Sequence, residues 1–126
     1  MAESEAFRRG LEVRGQVSGD PSSDAVLSDP VMGKFRRATL ETVWGVIWAR
    51  PGLDMKTKTL ITLVSDVATG RTSELPVHLR FALRAGWTQD ELTDVFVHLL
   101  GYIGAPLTRE AFIVAREVFA ETPKAE

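Results

Sequence analysis

Apolar residues along this chain return at helical intervals. Leu40, Val43, Trp44, Ile47 and Trp48 fall at i, i+3, i+4, i+7 and i+8, the spacing of one helical face. Ser28-Asp29-Pro30 precedes them as a polar N-cap with proline at the first helical position, where its missing N–H costs nothing. Arg50-Pro51-Gly52 follows, and proline cannot continue the ladder, so the spacing predicts a helix over 28–49. Asp54 is expected to cap the next, which carries Leu60, Ile61, Leu63, Val64, Val67 and Ala68 and places Gly70 just past its end. Thr72 or Ser73 is expected to cap a third, with Pro76 in its first turn and Gly86 closing it. Thr88-x-x-Glu91 has the form of a capping box ahead of Leu92, Val95, Phe96, Leu99, Leu100 and Ile103. Thr108 is expected to open a last helix with Ala111, Phe112, Ala115, Val118 and Phe119 on one side.

No stretch alternates apolar and polar residues between hairpin turns, so a sheet has little to be built from. Residues 7–17 have helical spacing weakened by Gly10, Gly15 and Gly19, and residues 19–23 read as a loop. The expected fold class is all-α, a single-domain bundle of about six helices. It divides into an N-terminal segment with its loop (1–27), a helical domain (28–121) and a frayed tail (122–126). Helices this apolar in so small a chain leave surface that one domain does not hide, which predicts a homo-oligomer.

Composition narrows the function. The 126 residues include no cysteine, two histidines, and 15 Lys+Arg against 17 Asp+Glu for a net charge of −2. Without cysteine there is no disulfide framework, thiolate metal site or thiol redox couple. Two histidines are too few for an all-histidine metal site, so metal-free chemistry is the expectation. Near-neutral charge without a basic cluster argues against nucleic-acid binding. The longest uncharged run, 95–108, is interrupted by glycines and a proline and is shorter than the roughly 20 residues of a membrane span. The N-terminal Met-Ala-Glu-Ser-Glu lacks the basic and apolar regions of a secretory signal, and a cytoplasmic location is expected.

Four constellations carry candidate chemistry. Glu74 and His78 are four apart on a predicted helix, where a carboxylate fixes an imidazole tautomer and raises its pKa for acid/base work. The plainer alternative is a surface ion pair. Arg50 and Arg71 lie in turns, where a guanidinium grips a carboxylate in two-pronged fashion or is simply solvated near a helix end. Trp44 and Trp48 share a helical face as core or as pocket wall, with Gly45 between them permitting close approach of another backbone. His98 and Tyr102 are again four apart beside Gly101 and Gly104, one turn after Asp94. A structural, hydrogen-bonded histidine is the default for His98.

Taken together, Phe7-x-x-Gly10-x-x-x-Arg14, Trp44-Gly45-x-x-Trp48-x-Arg50-Pro51-Gly52-Leu53-Asp54, Glu74-Leu75-Pro76-Val77-His78-x-x-x-Ala82-Leu83-x-x-Gly86 and His98-x-x-x-Tyr102-x-Gly104-x-Pro106 resemble the 4-carboxymuconolactone decarboxylase family, in order and along nearly the whole chain. That family shares an all-α superfamily with the alkylhydroperoxidase D-type proteins, whose C-x-x-C-x-x-x-H motif would place its cysteines at Arg71 and Glu74. The resemblance therefore implies the branch without thiol redox chemistry. It implies a carboxy-lyase of aromatic catabolism, converting 4-carboxymuconolactone to 3-oxoadipate enol-lactone without a cofactor, in an oligomer of trimeric or hexameric type. The lactone carbonyl would take up the electron pair left by carbon dioxide. On this reading Arg50 and Arg71 grip carboxylates, His78 with Glu74 stabilises the dienolate or delivers the proton, and Trp44 and Trp48 exclude water. His98 or Tyr102 supplies a second donor.

The chain departs from the family pattern twice. Members often carry a histidine in the loop that here reads Gly19-Asp20-Pro21-Ser22-Ser23-Asp24-Ala25, and an arginine in the stretch that here reads Asp54-Met55-Lys56-Thr57-Lys58-Thr59. Two alternatives stay open. The same scaffold would serve an isomerase, eliminase or cyclase for another acidic metabolite, or a non-catalytic helical binding protein.

Overall fold

Ser4 starts the first helix by accepting the Phe7 N–H at 3.0 Å, which satisfies one of the donors a helix start leaves open. In the computed structural model, which describes residues 3–20 and 25–121, this is α1, Glu5–Ser18. It is followed by a 3-10 turn, Ala25–Ser28, by α2, Met32–Thr39, and by a π-helical continuation of α2, Leu40–Ile47. Then come α3, Met55–Thr69, α4, Leu75–Arg84, α5, Gln89–Ile103, and α6, Ala105–Glu121. Among the described residues there is no strand, and the fold is all-α. The loop expected over 19–23 and the tail expected over 122–126 lie largely or wholly outside the described residues. The chain divides into two compact units, Met1–Asp54 and Met55–Glu126.

In the first unit, α1 packs on the π segment with backbones nearly touching. A Cβ on Gly10 would lie 1.9 Å from the Leu40 carbonyl oxygen, and one on Gly45 would lie 2.1 Å from that of Ala6. Gly10, which weakens residues 7–17 as an isolated helix, is thus what lets it pack. Phe7, Val17, Leu40, Trp44 and Trp48 are buried here, and the Arg9 Nε–H donates to the Gly45 carbonyl at 2.7 Å.

The helix predicted over 28–49 begins later than expected and changes register midway. Ahead of it Asp29 Oδ1 accepts the N–H groups of Val31 and Met32 at 2.8 and 2.9 Å. The Ser28 hydroxyl instead donates to the Ala25 carbonyl. From Leu40 the helix widens into π geometry, and the Trp48 N–H donates to the Val43 carbonyl at 2.7 Å, five residues back. Such segments are rare and occur often at functional sites. An apolar pattern at i, i+3 and i+4 does not reveal the widening.

The second unit is organised around Leu63, Val67, Leu75, Leu79, Ala82, Leu92, Phe96, Ala111, Ala115 and Val118. Phe96 is fully buried and meets Phe112 edge to face, ring centres 5.6 Å apart. The Thr88–Glu91 capping box forms in both directions. Two helix starts differ from expectation. Helix α4 begins at Leu75 without a side-chain cap from Thr72 or Ser73. Helix α6 begins at Ala105, and the Thr108 hydroxyl donates to the Gly104 carbonyl within its first turn. No helix of the described residues is long and apolar enough to cross a membrane.

Candidate active site

The chain turns sharply between α3 and α4. The Gly70 N–H donates to the Val67 carbonyl and the Arg71 N–H to the Asp66 carbonyl, at 3.3 and 2.9 Å. This pair of reverse bonds closes a helix end and needs a left-handed residue, supplied by Gly70 at φ +70°. The Arg71 carbonyl then accepts from Glu74 and Leu75 N–H groups, and the Glu74 carbonyl from the His78 N–H. His78 therefore sits in the first turn of α4, against the last turn of α3.

There its Nδ1 meets the Oδ2 of Asp66. Glu74 was the expected partner. Although Glu74 is close in sequence, it stands at the exposed helix start and contacts His78 through its backbone carbonyl. The carboxylate that reaches the ring comes instead from α3, twelve residues upstream. Asp66 is 6% exposed at its side chain and His78 is 19% exposed, so the pair runs from a buried acid to a partly exposed imidazole. The Phe81 ring, 5.5 Å from that of His78 centre to centre, packs beside it.

Burial pushes the Asp66 carboxyl above its ordinary pKa, against the hydrogen bond and charge of His78; Glu74 adds to the rise and Arg71 opposes it. Asp66, Arg71, Glu74 and His78 thus form one electrostatic cluster. The sequence does hold a signal for Asp66: it falls three residues after Leu63 and beside Val67, on the apolar stripe of α3. A carboxylate on a buried stripe requires a partner.

Other candidates lie elsewhere. In the first unit Trp44 and Trp48 stack with ring centres 4.6 Å apart and planes at 19°, and the Arg14 guanidinium lies 5.9 Å over Trp44. Arg50 is exposed just after them. On α5, His98 is exposed rather than set in the core, with its ring 5.3 Å from that of Tyr102; Tyr102 is itself 78% exposed. His98 borders an open cavity of about 510 Å³ in the second unit, floored by Leu60, Val64, Val95 and Leu99, with Trp87, Glu91 and Asp94 at its edge. None of the α3–α4 corner residues lines it.

Residues 33–117 match the Carboxymuconolactone decarboxylase family. The chain belongs to that family. The match spans every residue assigned a candidate role above. Among characterised relatives, the chain is 34% identical over 123 residues to 4-carboxymuconolactone decarboxylase of Acinetobacter baylyi, covering 96% of this chain and 92% of that protein. It is 33% identical over 113 residues to nitrosuccinic acid decarboxylase of Metarhizium robertsii, covering 88% and 79%. An uncharacterized 15.0 kDa protein of Paracoccus denitrificans is 33% identical over 84 residues, covering 65% and 63%. The family member described here is a carboxy-lyase of the carboxymuconolactone decarboxylase type.

Proposed function

We propose that this protein decarboxylates 4-carboxymuconolactone to 3-oxoadipate enol-lactone without a cofactor, at the α3–α4 corner. The observation that carries the reading is the convergence of Arg71, Glu74 and His78 on one turn, with the imidazole partly exposed. Loss of carbon dioxide leaves an electron pair that the unsaturated lactone delocalises onto its carbonyl oxygen. The protein must then hold a polyanion, stabilise the oxyanion and return a proton to carbon. In this reading Arg71 holds a substrate carboxylate, and His78, with Glu74 beside it in the same turn, supplies the proton.

A second substrate has a specific observation behind it, because the nitrosuccinic acid relative matches at nearly the same identity as the lactone relative. Nitrosuccinic acid is also a polycarboxylic acid with a built-in electron sink, its nitro group. The two share one demand, protonation of a carbanion that the substrate itself stabilises.

In the first unit, Trp44, Trp48 and Arg50 are proposed as substrate contacts; in the second, His98 and Tyr102 are proposed likewise. A cytoplasmic homo-oligomer of trimeric or hexameric type completes the reading, supported by the exposed apolar side chains Val97, Leu100 and Tyr102 on α5.

The experiment is carbon dioxide release by purified, chelator-treated protein from each of the two acids. Turnover of 4-carboxymuconolactone supports the reading as stated. Turnover of nitrosuccinic acid alone transfers it to the second substrate, and release from neither overturns it.

A further inference from the structure

Resting on that reading of the corner, we propose that Asp66 is the positioning residue of the reaction. It accepts the Nδ1–H of His78, so that Nε2 is the atom that gives the proton to the substrate carbanion.

The geometry identifies the atom. An imidazole has two nitrogens, and the hydrogen bond made by one sets the role of the other. Here Nδ1 is occupied by a carboxylate from another helix, and the side chain as a whole is 19% exposed, which leaves Nε2 as the nitrogen not engaged by Asp66. Asp66 has little reason to be where it is on packing grounds alone. Burying a carboxylate among Leu63, Val67 and their neighbours is costly unless it is paired, and a leucine or methionine would fit the same stripe. Its carboxylate is hydrogen-bonded to the His78 ring. The other charged groups bearing on Asp66 are Arg71 and Glu74 from the turn. Arg80, further along α4, is engaged with Glu121 of α6.

His78 enters as imidazolium, with Nδ1–H on Asp66 and Nε2–H towards the substrate. The bond from carbon to the departing carboxylate breaks, carbon dioxide leaves, and the electron pair passes into the lactone or nitro group. Nε2 then gives its proton to carbon, leaving a neutral imidazole whose Nδ1–H is still held by Asp66. Water returns the proton to Nε2 before the next turnover. Asp66 keeps its own charge throughout and acts only through the ring.

Asp66→Asn tests this, because the amide preserves the shape but can donate to Nδ1 and so favours the tautomer with its proton on Nε2. The expected result is a kcat loss of about 100-fold or more, with KM changed less than about threefold. Asp66→Glu should recover part of the loss. Independently of activity, ¹⁵N NMR of histidine-labelled wild-type protein, assigned with a His98→Gln variant, should show Nδ1 protonated in the neutral His78 ring. An unprotonated Nδ1 in neutral wild-type His78 overturns the proposal even if the Asn variant fails to fold. So does an Asn variant that retains kcat within about threefold. If the wild type turns over neither acid while Nδ1 is protonated, the substrate reading fails and the positioning of His78 by Asp66 stands.

Discussion

Gly10→Ala in α1 tests how tightly the stacked tryptophans are held. The added Cβ would lie 1.9 Å from the Leu40 carbonyl oxygen and 2.7 Å from its carbon. Both are backbone atoms of the π segment, so no side chain can rotate away, and relief requires the helices to separate. Overpacking of this kind costs typically ~1–3 kcal/mol and occasionally more. Against it stands the gain of roughly 1 kcal/mol from replacing glycine by alanine inside a helix. A clash this short, against backbone, belongs at or above the top of the overpacking range, which leaves a net loss of about 2 kcal/mol. With a urea dependence of about 1–3 kcal/mol per molar, the unfolding midpoint should fall by roughly 1 M. Because Trp44 and Trp48 stack in this unit, the near-ultraviolet circular dichroism of the tryptophan pair should weaken under native conditions. A midpoint unchanged or raised, with the tryptophan signal intact, would refute the close-packing account.

Three further outcomes follow from the second unit. Phe96→Ala removes a fully buried ring and should lower stability by about 3–5 kcal/mol in urea titrations. Thr88→Ala deletes the hydroxyl that accepts the Glu91 N–H at 3.0 Å and should cost about 1 kcal/mol, seen as faster amide exchange in the first turn of α5. Asp66 links stability to pH: its carboxyl pKa is raised above 3.8, burial first among the causes, so the folded chain binds this proton more readily than the unfolded one. That contribution is complete below the unfolded value and is lost as pH rises through the folded value. The stability of wild type relative to Asp66→Asn should therefore fall over that interval, and urea midpoints that show it growing instead would contradict the assignment.

Much of the fold is written in the chain because its helices obey simple end rules. The Thr88–Glu91 box, Gly70 past the end of α3 and the apolar faces of α5 and α6 are local features, and local features are legible. The departures arise where the deciding contact is distant. Residues 7–17 look poor as a helix because the benefit of Gly10 appears only when Leu40 and Gly45 are brought against it. The π register at Leu40–Ile47 changes a hydrogen-bond count without changing which residues are apolar.

The candidate site divides in the same way. His78, Glu74 and Arg71 are visible as a motif, and the turn at Gly70 gathers them. Asp66 belongs to another helix, and an i, i+4 rule directs attention to Glu74 instead. The better guide is burial: the acid that must find a partner is the one on the apolar stripe of α3, not the exposed one at the start of α4.

The most direct test of the account is single-turnover carbon dioxide release from 4-carboxymuconolactone by wild-type protein and by His78→Ala, with unchanged far-ultraviolet circular dichroism confirming the fold of the variant. The account predicts release by the wild type and a loss of about 100-fold or more on removing the imidazole. A His78→Ala protein that releases carbon dioxide at the wild-type rate would contradict it, and the chemistry would then have to be sought away from the α3–α4 corner.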